Sequence, residues 1–344
     1  MKLKILLMTA FIFGLTYGQA LDVTFTEEGV QAMIDNSALL TEEPIVNILD
    51  GYEPVDLKLK NGILSPVQSN SEFSLKAGAE TQIGGNMKTL IIPLVFGWKN
   101  YNIGASIPVI MSKSISLSID EITPSGIGDA TLNIGYSNIF KGFYYSSDIF
   151  LKFSTGDWDN FEASNFAPLG TGSTDYVFSA SVLKPFENIS LSGSVSYKLN
   201  MSSDVKVIVY HPEDLDSNMV TQDTETVEFS ITNGNLLLVN MNCSYYYKYN
   251  LKFSGRTTFL MTGEGETDKK YSYSYDPPKN TRISGISNNQ DMMLLDITPS
   301  VSFSYNIIEL TSGIKIPVYT EINEEMKKIE RGLRFFLKVN YNIF

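Results

Sequence analysis

The stretch Ile189-Ser-Leu-Ser-Gly-Ser-Val-Ser-Tyr-Lys-Leu-Asn200 alternates strictly. Ile189, Leu191, Gly193, Val195, Tyr197 and Leu199 share one side; Ser190, Ser192, Ser194, Ser196, Lys198 and Asn200 share the other. A period of two puts successive side chains on opposite faces of a strand. The run is about twice the length of an ordinary strand of 5–6 residues. That length suits a chain crossing a bilayer as a tilted β-strand.

The pattern recurs in both directions. Gly128–Ser137 sets Ala130, Leu132, Ile134 and Tyr136 against Asp129, Thr131, Asn133 and Ser137. Leu251–Met261, Leu295–Tyr305 and Leu333–Tyr341 repeat it. The full reading is twelve strands, at 70–82, 88–98, 101–112, 126–139, 143–154, 175–186, 189–200, 235–247, 251–262, 292–305, 307–319 and 332–344. Tight turns fall at Lys99-Asn100, Lys141-Gly142, Glu187-Asn188, Lys248-Tyr249-Asn250 and Asn306. Long links fall between them, at 113–125, 155–174, 201–234, 263–291 and 320–331. After the first strand pair, short and long alternate. Antiparallel strands sort such connections to opposite ends, and outer-membrane barrels have short periplasmic turns and long external loops. The expected fold is all-β: a closed antiparallel transmembrane β-barrel of about twelve strands, with an N-terminal pre-barrel segment. Closure follows from the solvent, because lipid offers no partner to an unpaired strand edge. Pro93, Pro108, Pro299 and Pro317 lie inside these strands, so bulges are expected there.

The rest of the sequence narrows the class. Lys2 and Lys4 precede an apolar run, Ile5–Leu15, and small-residue triplets that favour a cut after Gly18 or Ala20. This reads as a cleaved secretory signal over 1–20. No later stretch approaches the roughly 20 apolar residues of a membrane helix. The single cysteine, Cys243, excludes an internal disulfide framework and falls on the lipid face by parity. A net charge of −12 argues against a nucleic-acid partner. The division is a signal at 1–20, an acidic pre-barrel segment at 21–67, and a barrel at 68–344 in the outer membrane. Outer-membrane lipid and the barrel-insertion machinery are the expected partners, the latter through the last strand ending on Phe344.

The middle of the chain carries short motifs: Ile92-Pro93, Gly97-Trp98, Gly104, Ile107-Pro108, Gly126-Ile127-Gly128-Asp129, Lys152-Phe153-Ser154-Thr155-Gly156 and Pro168-Leu169-Gly170-Thr171-Gly172-Ser173. Over roughly residues 88–200 they resemble the outer-membrane β-barrels of the meta-pathway of phenol degradation, a family of transporters. The resemblance implies passage of small hydrophobic or aromatic compounds through the lumen. The glycines themselves suit tight turns and bends at strand ends.

Parity assigns the lumen wall. Asp129, Asp148, Lys152, Lys198, Lys252, Arg256, Asp296, Lys315, Arg334 and Lys338 point inward as charged candidates; Phe150, Tyr246 and Phe336 point inward as a greasy contact line. Asp129 is expected near the outer rim, paired with a lumen cation or orienting cargo. The second half of the wall is basic, offset in part by Asp296 and Glu309, whereas 21–56 carries nine acids and no lysine or arginine. Within it, Thr26-Glu27-Glu28-Gly29 and the following Val30, Met33, Ile34 and Leu39 suggest one short amphipathic helix. An acidic plug folded into the barrel would match the basic wall; a solvated periplasmic tail is the other reading. The same wall admits an anion-preferring porin. A closed barrel acting through its external loops is a further alternative.

Catalysis has little support. A Ser–His dyad needs a histidine beside the nucleophile, and the only histidine, His211, sits next to Pro212 in the longest link. Gly156-Asp157-Trp158-Asp159 is a short acidic turn without calcium-loop spacing. No enzyme activity, cofactor or metal is expected.

Overall fold

The structure is a computed structural model describing residues 57–60, 63–66, 73–84, 87–113, 115–116, 121–122, 125–156, 169–210, 224–248, 250–273, 280–288, 292–322 and 332–342. The signal segment, the expected short helix, His211 and Phe344 lie outside the described residues. Twelve long strands form the wall: β1 (Phe73–Gly84), β2 (Met87–Trp98), β3 (Tyr101–Lys113), β4 (Thr131–Phe140), β5 (Phe143–Lys152), β6 (Asp175–Phe186), β7 (Ile189–Leu199), β8 (Leu236–Tyr247), β9 (Leu251–Thr262), β10 (Met292–Tyr305), β11 (Ile308–Ile322) and β12 (Arg334–Asn342). Each pairs antiparallel with its sequence neighbours, and β12 pairs with β1 from Phe335↔Ile83 to Asn342↔Lys76. The sheet therefore closes, and the expected twelve-strand barrel is the fold.

The alternation sorts faces as expected. Ile92, Leu94, Phe96 and Trp98 of β2 are exposed on the outer face, as are Ile189, Leu191, Val195 and Tyr197 of β7. Ser190, Ser194, Ser196 and Lys198 of β7 are buried on the inner face. Cys243 is exposed, on the outer face.

Several boundaries differ. The expected strand at 126–139 is broken: Gly126–Ile127 pairs with Ile110 and Val109, residues 128–130 leave the ladder, and β4 resumes at Thr131 one residue out of step. Opposite the break stands Pro108, which has no N–H to give the ladder, while its carbonyl still accepts the Gly128 N–H at 2.9 Å. Strand β5 ends at Lys152 rather than 154, and β12 runs from Arg334 to Asn342. The prolines behave unequally. A register shift sits beside Pro317, where Leu295 faces Tyr319 and Asp296 faces Pro317. At Pro93 and Pro299 the register continues but ladder pairs with one neighbour drop out, so the expected bulges are absent there. A missing N–H interrupts pairing on one side without requiring an extra residue.

The long links are also more ordered than loops. Residues 202–210, 224–232, 265–273 and 280–288 form a four-stranded sheet whose order repeats that of β7, β8, β9 and β10. The wall thus continues past the barrel on one side. Residues 115–116 and 121–122 form a small hairpin. A further hairpin, Leu57–Lys60 with Ile63–Pro66, lies in the pre-barrel segment.

Candidate functional site in the barrel lumen

At the outer end of the lumen, three distant motifs meet. Asp129 faces inward beside the break, in step with Thr131 of β4, and both are buried. Its carboxylate accepts the Gly156 N–H at 3.0 Å, the Thr171 N–H at 2.7 Å and the Thr171 hydroxyl at 3.0 Å. Lys152, the last residue of β5, lies 3.4 Å from Asp129 and also contacts Thr171 and Asp175. Asp175, the first residue of β6, pairs with Lys198 at 3.0 Å and accepts from the Ser173 hydroxyl at 2.7 Å and the Met201 N–H at 3.0 Å. Lys152, Asp175 and Lys198 are at most 2 % exposed. Two acids and two lysines balance, as burial of charge demands.

Close backbone approach makes this possible. A Cβ on Gly156 would lie 2.7 Å from the Gly170 Cα, and one on Gly170 would strike the Asp129 carboxylate. Gly170 lies in a bend, as expected of it, and this pair of glycines also lets the two backbones pack closely. Gly156 and Gly170–Thr171 are therefore held together beside β4, β5 and β6.

Below this clamp, hydroxyls and amides line the wall. Ser146 meets Ser181 at 2.7 Å, Ser196 meets Ser179 at 2.9 Å, Asn240 donates to Ser194 at 3.3 Å, and Ser244 meets Ser254 at 2.8 Å. Thr311 donates to Ser302 at 2.9 Å on the far side. Asp148 is buried over Gly135 of β4, whose missing side chain leaves its space.

The basic strip is more neutralised than the sequence suggested. Lys315 lies 3.5 Å from Asp296, Lys338 3.4 Å from Glu80 and Lys252 3.9 Å from Glu309. Arg334 is buried as the cross-strand partner of Lys315, and Arg256 is half-buried between Asn242 and Thr298. Phe150, Tyr246 and Phe336 face inward but on three non-adjacent strands, toward opposite ends, so no continuous greasy line joins them.

The short-turn end of the lumen is different. Leu57 and Leu64 of the pre-barrel hairpin pack with Leu183 and Tyr246 in a buried cluster, with Tyr144 against it. The Leu64 N–H donates to the Glu187 carbonyl at 3.1 Å. The hairpin therefore docks on the inner wall at that mouth. Sequence reading missed Thr171, Ser173 and Asp175. For Asp175 a signal existed, since it shares parity with inward Val177, Ser179 and Ser181.

Comparison with solved structures bears on the fold. No protein-family model matches the sequence, and no curated protein does. Among solved structures, the COG4313 outer membrane channel from Pseudomonas putida F1 is similar at a TM-score of 0.58 and 10% identity, covering 81% of this chain and 99% of that one. CdiB from Acinetobacter baumannii follows at a TM-score of 0.26 and 8% identity, covering 81% of this chain and 61% of that one; a score so low carries no argument. The chain thus shares the fold of an outer-membrane channel.

Proposed function

We propose that this protein is an outer-membrane channel that passes small hydrophobic or aromatic compounds through its lumen. The observation that carries the channel is the wall itself: closed, apolar outside, and lined inside by hydrogen-bonded hydroxyls. In lipid such a wall satisfies every strand edge and encloses a polar path. The tight turns then face the periplasm, and the C-terminal strand leads to the insertion signal at Phe344. The nature of the cargo rests on two supports. Three of the motifs that resemble the phenol-pathway transporters, those bearing Asp129, Lys152–Gly156 and Gly170–Ser173, meet in one buried clamp. Lys152, Lys198, Lys252, Lys315 and Lys338 each lie beside a carboxylate, which weakens the field that an anion-selective pore needs. Both favour an uncharged cargo.

A second reading has its own observation. Among the described residues, the four-stranded sheet beyond the barrel has two strand edges, 202–210 and 280–288, with no sheet neighbour. Free edges accept added strands, so a surface-binding role through that sheet is the alternative.

Planar-bilayer recording of the mature protein, with uptake of labelled aromatic compounds by expressing cells, tests the proposal. Small conductance with weak ion preference and protein-dependent uptake is the expected result. Strong anion preference would transfer the role to a porin. No conductance and no uptake would leave the surface role.

A further inference from the structure

The turns at the periplasmic mouth carry an unexpected residue. Lys99, Lys141, Lys248 and Asn306 adopt φ of 54°, 49°, 55° and 53°. Left-handed backbone disfavours residues with a Cβ, and glycine or asparagine is the usual occupant. Asn306 follows that rule; three lysines break it. Turn geometry alone does not select lysine at these sites.

Each of these lysines stands directly after an outward aromatic and folds back over it. Lys99 Nζ lies 5.3 Å from the Trp98 ring centroid, Lys141 Nζ 5.1 Å from Phe140 and Lys248 Nζ 5.1 Å from Tyr247. Lys184, beside the Lys141 turn, sits 4.3 Å over Phe143. All four rings are exposed on the outer face, within a belt that includes the Trp98–Tyr101 stack and the Tyr101–Tyr136 contact. Among the described residues at these turn tips, Glu187 is the sole carboxylate. The chain as a whole carries −12, so a cationic rim is not a reflection of composition.

We infer that this rim is a binding surface for anionic phospholipid headgroups of the periplasmic leaflet, with the acyl chains on the aromatic belt and the phosphate among Lys99, Lys141 and Lys184. An aromatic ring at headgroup depth fixes height, and a lysine pinned over it presents its ammonium at that height with less freedom to lose. Lysines near an anionic surface attract it additively. The inference rests on the outer-membrane reading. A chain that fails to insert into vesicles would defeat that reading, whereas one that inserts without lipid preference would defeat only this inference.

The test uses the full mature chain carrying Trp158→Phe, which leaves Trp98 as the only tryptophan. It is reconstituted into phosphatidylcholine vesicles containing brominated phosphatidylglycerol or, at equal mole fraction, brominated phosphatidylcholine. Trp98 quenching is expected to show roughly three- to tenfold preferential association of the anionic lipid at low salt, declining as salt is raised. Lys99→Asn and Lys141→Asn keep left-handed turns, because asparagine tolerates them, and together with Lys184→Gln should bring the preference close to parity. Equal quenching by both lipids in the parent, or a preference unmoved by salt, overturns the inference. So does a preference that survives in a triple variant whose heat-modifiable gel mobility shows a folded barrel.

Discussion

The two mouths of the lumen are built by opposite chemistry. The outer mouth is held by buried charge: Asp129, Lys152, Asp175 and Lys198, with Thr171 and Ser173 completing the hydrogen bonds. The periplasmic mouth is covered by apolar contact, Leu57 and Leu64 on Leu183 and Tyr246. The difference follows from what each must hold. Loop ends at the outer mouth bring backbone N–H groups that need acceptors, such as those of Gly156, Thr171 and Met201, and a carboxylate meets several at once. The hairpin pairs its two strands with each other and brings to its dock two leucine side chains and one backbone N–H, that of Leu64, which finds the Glu187 carbonyl. A charged clamp is unforgiving of a lost partner, while an apolar dock releases without orphaned charge. The clamped mouth is therefore expected to be the more rigid end, and the mouth covered by the hairpin the end more able to open.

Breaking the clamp should have the largest effect. Asp175→Ala leaves Lys152 and Lys198 buried with a carboxylate gone, and removing one partner of such a pair costs about 3–5 kcal/mol. Urea unfolding of the barrel in micelles, followed by heat-modifiable mobility, should show that loss; a change below about 1 kcal/mol would remove the rigid half of the comparison.

The apolar mouth should respond in function rather than in stability of the wall. Deleting residues 21–66 removes the acidic segment and the hairpin together, and single-channel conductance should rise. Leu64→Ala keeps the hairpin but weakens its dock by about 2–4 kcal/mol, which should appear as brief openings in the same recordings. Unchanged traces from both proteins would mean that the hairpin does not occlude the lumen.

Gly170→Ala sharpens the contrast from within the clamp. Its methyl group would push against Asp129, and overpacking of this kind costs about 1–3 kcal/mol. The unfolding midpoint should fall by less than in Asp175→Ala.

The smallest effect belongs to the partly exposed pairs. Lys338 and Glu80 keep 25% and 12% side-chain exposure, so Lys338→Met should cost no more than about 1 kcal/mol. Its reversal potential in a salt gradient should move slightly toward cation preference; a large shift would mean that single charges control the pore.

Much of this was legible beforehand in the alternation itself. Twelve strands, their number and order, the inward serines and the outward Cys243 all follow from a period of two, because one face meets lipid and the other does not. Asp129 as a paired inward acid was legible for the same reason. The partners were not. Lys152 meets Asp175 across the 153–174 link, and nothing in local pattern measures that approach. The second-half wall looked strongly basic in part because Glu80, on the first strand, lies remote in sequence from Lys338 on the last.

The amino-acid sequence by itself determined the barrel, since local alternation and the need to pair every strand in lipid leave few other solutions. The tertiary structure alone decided the break at 128–130, the meeting of three glycine-bearing motifs, the sheet built from two links, and the hairpin at the periplasmic mouth. Each of these depends on contacts between segments far apart in the chain. Their formation is set by closure of the wall and by which groups it brings within hydrogen-bond reach, and no local periodicity encodes either.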